Sequence, residues 1–498
     1  MTYHDLTSHY RKLNQLVHVS RIVGWDEAVM MPPGAGDARA DAMASLEGLI
    51  HQGASDPRIA TWLAAAERET LDALGRANLR EVRRAHTRAT ALPSELVEAQ
   101  SRAQLRCEQA WRSQRKNQDW EGHLPLLSEV VRLKREEASI LAQKLGLSPY
   151  DALMDAFEPG MRSEVIDGLF EDLSSWLPER IREIVERQAG QSTPRAEGPF
   201  PIERQRAAGL ELMAALGFDF QHGRLDTSHH PFCGGVPSDV RITTRYNEED
   251  FTESLMGVLH ETGHAKYEQG LPRELDGLPV GQARSMGVHE SQSLFQEMQI
   301  CRGLPFLRFA GPILARIFGE AARKTPQAFE PESLFRLYIR VKPGFIRVDA
   351  DEVTYPLHVI LRYRLERALI EGQLEPRDIP GVWDESMQRS LGLSTRGNYR
   401  DGCMQDVHWP SGAFGYFPSY TLGALIAAQL FEAATLALPT LESDIARGEM
   451  GPLNQFLGER VWSKASTLET AELIEGASGQ ELGTAAFKRH VERRYLAS

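Results

Sequence analysis

The stretch that decides both fold and chemistry is His260-Glu261-Thr262-Gly263-His264, where two histidines stand four residues apart. On an α-helix such residues lie about 40° apart on one face, so both imidazoles can reach a single metal ion. The glutamate after the first histidine is placed to take a proton from a water at that ion. Glu290, in His289-Glu290-Ser291, follows His264 by 26 residues and completes a set of two histidines and one glutamate.

The flanking residues predict that the motif lies on one helix. Asp250 is the expected N-terminal cap, with Glu253 three residues later, and Gly270 and Pro272 are expected to end the helix. Apolar and small residues collect on the side away from the histidines: Phe251, Leu255, Val258, Leu259, Thr262 and Ala265. A chance match on a solvated helix face is the alternative, and the helical phase together with Glu290 favours a metal site. A second helix, 288–300, is predicted to carry Glu290.

Composition narrows the class of protein. The 498 residues are 42% hydrophobic and 25% charged, as in an ordinary globular chain, and the net charge of −13 argues against general nucleic-acid binding. Four scattered cysteines predict neither a disulfide framework nor a cysteine-ligated zinc site. The polar N-terminus lacks the apolar core of a signal peptide, and the apolar stretch 421–438 is interrupted by Gln429 and Glu432. We therefore expect a cytoplasmic protein without a membrane partner, in which 421–438 is a buried helix.

Helical periodicity dominates the rest of the chain. Helices are predicted over roughly 35–110, 124–144, 163–187, 353–371 and 456–494, and residues 189–201 are predicted to form a surface loop. Residues 239–246 alternate polar and β-branched positions and predict a strand. Two interpretations of this strand are equally weighted: an edge strand that pairs with an extended peptide substrate, or a plain hairpin of a small sheet.

Several separate runs resemble one enzyme family, the carboxypeptidase Taq family of zinc metallocarboxypeptidases, also called thermostable carboxypeptidase 1. The runs include His260–His264 and lie in the expected order along nearly the whole chain: Trp25-Asp26, Met31-Pro32-Pro33, Tyr150–Leu153, Glu158-Pro159-Gly160, His230-Pro231-Phe232, Asp239–Thr243, His289–Ser293, Ile346–Asp351 and Gly402–Trp409. Two positions depart from the family pattern. Gln296 stands where many members have Trp, and Asp349 stands where Glu is common, which leaves subfamily and substrate preference open.

The resemblance implies a fold, an activity and roles. The fold is all-α, mostly helical with one small antiparallel sheet near the active site, shaped like the neurolysin and angiotensin-converting-enzyme bowl with a deep central groove. Residues 1–498 form one catalytic unit with two helical lobes. The implied enzyme is a homodimer that releases single C-terminal residues from peptides with broad specificity. One divalent ion per chain, zinc first and cobalt as the alternative, is held by His260, His264 and Glu290, with Glu261 as the base.

Other residues are candidates for binding the substrate. Arg347 is the first choice for the substrate carboxylate, because a guanidinium pairs with a carboxylate through two parallel hydrogen bonds, and Arg241 and Arg245 are alternatives. The competing interpretation of each arginine is a structural ion pair. His408 and Tyr420, twelve residues apart, match a pair that holds substrate and oxyanion in neurolysin-type peptidases. Tyr420 is the oxyanion candidate, and a packed tyrosine with a satisfied hydroxyl is its alternative.

The remaining polar candidates have weaker signals. His230 is predicted either to bind substrate or to order the loop before a strand. Asp239, Gln405 and Asp406 are candidates for orienting the metal-binding histidines, although a buried ion pair is the more ordinary explanation for the two acids. His358 is expected to be a core residue, because it is a lone histidine in an apolar helix.

Two rival functions stay open at the level of sequence. One is an oligopeptidase or dipeptidyl carboxypeptidase on the same scaffold, and the other is a helical binding scaffold that kept the motif without catalysis.

Overall fold

The structure, a computed structural model, describes residues 2–497 and consists largely of α-helices. The helices before the sheet are α1 (Tyr3–Val29), α2 (Gly36–Ala54), α3 (Arg58–Ala66), α4 (Ala73–Ala91), α5 (Ser94–Asn117), α6 (Trp120–Leu145), α7 (Pro149–Met154), α8 (Ser163–Gln188) and α9 (Ile202–Leu216). Those after it are α10 (Thr252–Gly270), α11 (Met286–Leu294), α12 (Leu304–Phe318), α13 (Glu320–Lys324), α14 (Pro331–Tyr338), α15 (Tyr355–Ile370), α16 (Ile379–Leu391), α17 (Pro418–Ala437), α18 (Leu441–Arg447), α19 (Gly451–Arg460), α20 (Thr470–Ser478) and α21 (Ala485–Val491). The predicted loop lies between α8 and α9 and is confirmed.

The small sheet differs from the expectation in two respects. Its strands β1 (Gly223–Thr227), β2 (Phe232–Val236) and β3 (Asp239–Thr244) are arranged in the order β1-β3-β2. The pair β2–β3 is antiparallel but β1–β3 is parallel, so the sheet is mixed rather than antiparallel. Residues 239–244 form the central strand, and both of its edges are already paired, so the prediction of a substrate-binding edge strand there is wrong. Alternation shows which face of a strand is buried, and carries no information about how many neighbours it has.

Two large apolar clusters hold the helices together, and α17 contributes to both. Leu422 and Leu425 belong to the cluster that includes residues of α6, α8, α15 and α16, while Ile426 and Leu430 belong to the cluster that includes residues of α10, α12 and α19. Within residues 2–497, α17 is the one helix whose length and composition would suit a membrane span, and most of that window is buried inside the protein. The predicted buried helix is therefore confirmed. The division into two lobes stays a prediction.

Helix α10 carries the metal motif as predicted. Its apolar face is buried, from Phe251 at 2% exposed to Leu259 at 0%. Phe251 rather than Asp250 occupies the N-cap position, and Asp250 instead accepts hydrogen bonds from the backbone and hydroxyl of Thr252 at 2.7 and 2.6 Å. The helix ends at Gly270, so the predicted C-terminal boundary is confirmed.

Two glycines allow α10 and α17 to pack closely against α11. A Cβ on Gly263 of α10 would lie 2.4 Å from the carbonyl oxygen of Gln292, and one on Gly423 of α17 would lie 2.7 Å from Cγ of Glu290. Only glycine permits contacts this close, so α10 and α17 both approach α11 at backbone distance. The helix predicted over 288–300 is α11 followed by a π-helical segment, Phe295–Cys301. This packing determines where Glu290 meets the two histidines.

Candidate active site

Three potential ligands converge where α10 and α11 meet. One donor atom each from His260, His264 and Glu290 lies within 4.8 Å of the other two. His264 Nε2 and Glu290 Oε2 are 3.4 Å apart, which matches the roughly 3.4 Å expected between two ligands of a tetrahedral ion with bonds of about 2.1 Å. The three residues that the sequence singled out as ligands are therefore brought together.

The orientation of each histidine leaves one ring nitrogen for a metal. His260 Nδ1 is 2.8 Å from Glu297 Oε2, and Glu297 also pairs with Arg302 at 2.5 Å. His264 Nδ1 faces the side chain and carbonyl of His289. With both Nδ1 atoms engaged in this way, the Nε2 atoms remain for an ion, and two imidazole nitrogens with one carboxylate oxygen suit a divalent metal such as zinc.

Glu261 lies beside the ligands on the same helix. It is 8% exposed, and within residues 2–497 its carboxylate forms no hydrogen bond. Burial raises the pKa of Glu261 to about 7, and the Glu290 charge acts in the same direction against that of His260. A carboxylate with a raised pKa and free lone pairs can accept a proton at neutral pH.

Three of the residues predicted to bind the substrate, Arg347, His408 and Tyr420, form a second polar cluster. His408 Nε2 is 3.1 Å from the Tyr420 hydroxyl, and the Arg347 guanidinium lies 4.9 Å from the centre of the Tyr420 ring. The charges of Arg347 and Arg362 meet at a single aspartate, Asp406, at 2.9 and 2.6 Å. Burial lowers the pKa of His408 to about 4, with Arg347 acting in the same direction, so its imidazole is neutral.

Arg347 is more deeply buried than a simple surface receptor for a carboxylate. It is 5% exposed, and besides Asp406 it donates to the Tyr355 hydroxyl at 2.7 Å. These contacts match the ion-pair alternative, yet they engage only three of the five guanidinium N–H groups. Its role toward substrate stays a prediction.

The remaining substrate candidates lie at the sheet. Arg241 pairs with Asp239 at 2.6 Å and lies over the Trp25 ring at 4.4 Å, while Arg245 is exposed beyond the end of β3. His230 is exposed before β2, and its carbonyl accepts a hydrogen bond from Ser228, so its backbone orders the strand loop. The structure therefore gives Arg241 and His230 structural contacts, and their substrate roles stay predictions.

Comparison with known proteins agrees with this geometry. A family model described as carboxypeptidase Taq (M32) metallopeptidase matches residues 5–495. Thermostable carboxypeptidase 1 of Thermus thermophilus is 40% identical, over 99% of this chain and 98% of that protein. The protein of the same name from Pyrococcus furiosus is 31% identical over the same shares. The solved structure of Trypanosoma cruzi metallocarboxypeptidase 1 is 44% identical, with a TM-score of 0.97 over 99% of both chains.

The chain belongs to the carboxypeptidase Taq (M32) family. It is therefore an enzyme of the metallocarboxypeptidase class, with the helical fold of its structural neighbours. Membership implies a divalent metal, and the cluster of His260, His264 and Glu290 is the candidate site for it.

The sequence offered Asp239, Gln405 and Asp406 as candidates for orienting His260 and His264, with an ion pair as the more ordinary explanation for the two acids. In this M32 enzyme both acids form such ion pairs, so the ordinary explanation is confirmed. Asp239 pairs with Arg241, while Gln405 and Asp406 bind Arg347, so none of the three contacts His260 or His264. Glu297 supports His260 instead. One available signal was spacing, because Glu297 follows Glu290 by seven residues and returns to the same helix face.

The prediction for His358 is confirmed. It is 0% exposed within α15, and burial lowers its pKa to about 3, so it is a neutral core residue of the M32 fold.

Proposed function

We propose that this M32 enzyme is a zinc carboxypeptidase that releases single C-terminal amino acids from peptides with broad specificity. The observation that carries the proposal is the cluster of His260, His264 and Glu290 with the Glu261 carboxylate beside it. Glu261 accepts the proton of the attacking water and delivers it to the amine that leaves. When bound, the divalent ion supplies Lewis acidity that polarises the scissile carbonyl and makes water a better nucleophile.

Tyr420 is the proposed donor to the developing oxyanion. Burial, with Tyr355 acting in the same direction, raises the pKa of Tyr420 well above its ordinary value, so its hydroxyl keeps its proton and can donate. Neutral His408 orients this hydroxyl when its Nε2–H donates to the tyrosine oxygen. A donor held in place before the reaction stabilises the transition state without reorganisation.

The proposed preference for a free C-terminus rests on charge. Arg347 and Arg362 carry two positive charges and share one aspartate, so the cluster has a net charge of +1 in a buried setting. Although burial raises the pKa of Asp406, the two arginines bring it well below its ordinary value, so this count holds at neutral pH. A substrate carboxylate at Arg347 would neutralise the excess. Arg241, His230 and His408 are proposed as additional contacts along the peptide.

The direction of cleavage is tested with matched peptides. The metal-loaded enzyme is incubated with one peptide in three forms, free at both ends, N-acetylated and C-amidated, and products are followed by mass spectrometry. We expect ladders shortened by one residue from the C-terminus for the first two and an intact amidated peptide. Release of dipeptides or internal cleavage of the amidated peptide would instead establish a dipeptidyl carboxypeptidase or an oligopeptidase.

We further propose that the enzyme acts as a homodimer in the cytoplasm, as the family resemblance implies. Light scattering coupled to gel filtration is expected to give twice the chain mass of 55.8 kDa, and a mass of one chain would contradict the dimer.

A further inference from the structure

The two metal-binding histidines are supported in different ways. The Nδ1 atom of His260 contacts a carboxylate directly, at 2.8 Å from Glu297. The Nδ1 atom of His264 lies 2.7 Å from Nδ1 of His289, whose own Nε2 is 2.9 Å from Glu268 Oε1. On the Nδ1 side of the His264 ring, a carboxylate is therefore reached through a second imidazole.

The donors and acceptors in the series His264, His289 and Glu268 permit one arrangement of the hydrogens. If His264 uses Nε2 for the metal, its Nδ1 carries a hydrogen and must donate it. The nearest acceptor is His289 Nδ1, which then holds a lone pair, so the hydrogen of His289 resides on Nε2 and is donated to Glu268. The reverse tautomer would turn a lone pair of His289 toward the Glu268 carboxylate. Burial raises the pKa of that carboxyl, but the hydrogen bond from His289 and the nearby positive charges, Arg21 among them, together lower the pKa of Glu268 below its ordinary value, so the carboxylate is ionised.

Glu268 and His289 lie on the same two helices that carry the candidate ligands. Glu268 lies one helical turn after His264 on α10, and His289 immediately precedes Glu290 on α11. Both side chains are largely buried, at 20% and 16% exposed, and the His289 ring packs 5.5 Å from the Tyr267 ring. The chain of hydrogen bonds therefore links α10 to α11 beside the ligands.

We propose that His289 and Glu268 are positioning residues that fix the tautomer and ring orientation of His264 for metal binding. The inference rests on the metal site of the proposed function and assigns it two further residues. One alternative is specific: the carbonyl of His289 also lies 3.1 Å from His264 Nδ1 and could orient that ring alone. The side chain of His289 would then be dispensable, whereas the proposal makes it necessary.

The test measures metal affinity rather than activity alone. His289→Phe keeps an aromatic ring for packing and removes both nitrogens, while the backbone carbonyl remains. We expect its zinc dissociation constant, measured by competition with a chromogenic chelator, to rise about 10–100-fold, the usual effect of losing such a partner. His289→Asn keeps a polar atom near the position of Nδ1 and is expected to recover part of this loss. Unchanged thermal unfolding of the metal-free variants shows that the fold is intact.

A double-mutant cycle tests whether Glu268 acts on zinc affinity through His289 or independently of it. Glu268→Gln alone is expected to weaken zinc binding by a smaller factor, about 3–10-fold, because an amide oxygen can still accept the hydrogen bond. In the His289→Phe background the same change is expected to add nothing, since Glu268 acts through His289. The matched control is Glu432→Gln, which removes a carboxylate of similar exposure, 24%, from its pair with Arg489. This control should leave the zinc affinity within about twofold.

The outcomes distinguish this inference from the proposed function. A wild-type affinity in His289→Phe would assign the orientation of His264 to the backbone carbonyl and overturn the proposal, as would full additivity in the cycle. The proposed function fails only if the wild-type protein binds no stoichiometric metal or releases no C-terminal residue. Metal content and activity of the wild-type protein therefore test the proposed function, and the zinc affinities of the variants test the roles of His289 and Glu268.

Discussion

At the scale of residues, the molecule buries several charged groups around the site beside partners of opposite sign. Glu297 is shared by His260 and Arg302, and Asp406 by two arginines. Glu366 departs from this pattern, because it is 0% exposed and its hydrogen-bond partners are the neutral groups of Tyr150, Trp409 and the Gly415 backbone. Burial raises the pKa of Glu366 from 4.5 to about 8. A buried carboxyl without a cation is expected to hold its proton at neutral pH.

Glu366 therefore predicts a specific pH dependence of stability. Its pKa is higher in the folded than in the unfolded chain, so its contribution is fully present below pH 4.5 and is lost as the pH rises to 8. Between pH 6 and pH 8 the loss should be about 2 kcal/mol. Glu366→Gln removes this component, so chemical unfolding at the two pH values should show a flatter profile in the variant. Parallel profiles would mean that Glu366 is ionised in the folded protein.

At the scale of elements, α10 was predictable and its surroundings were not. The candidate ligands His260 and His264 follow from helical period alone, which depends on local sequence. The supports Glu297 and His289 come from residues 25 to 37 positions away, and their approach depends on the contact of Gly263 with the α11 backbone. The mixed pairing of β3 depends on β1, whose parallel register is likewise non-local. The family resemblance supplied the architecture, while the partners of individual nitrogens required the packed helices.

Replacing glycine by alanine is predicted to change the free energy of unfolding in opposite directions at Gly263 and Gly257, both on α10. Gly263→Ala places a Cβ 2.4 Å from a backbone oxygen, so it should destabilise the metal-free protein by about 1–3 kcal/mol and weaken zinc binding. Gly257→Ala meets no atom within 4 Å and should instead stabilise the helix by up to about 1 kcal/mol. Urea unfolding of both variants provides the measurement. Equal effects at both positions would show that α10 and α11 are not held at backbone distance.

At the scale of the whole molecule, the candidate metal site lies on α10 and α11, which are anchored in one large apolar cluster, and α10 also packs into a smaller cluster beside the sheet. Those clusters do not depend on a bound ion, so removing the metal should leave the fold intact. We expect the chelated enzyme to keep its helical circular dichroism at 25 °C. Its melting temperature should fall by a few degrees, since an ion at 100 times its dissociation constant stabilises by about 2.7 kcal/mol. Loss of helical signal on chelation would mean that the ion is needed for folding.

The most direct test of the central claim compares Glu261→Gln with Glu290→Gln for both metal content and peptide hydrolysis. If Glu261 is the base and Glu290 a ligand, Glu261→Gln should retain one ion per chain and lose about 10²–10⁴-fold in kcat. Glu290→Gln should lose the metal and the activity together. Wild-type turnover in Glu261→Gln, or a full complement of tightly bound metal in Glu290→Gln, would contradict the account.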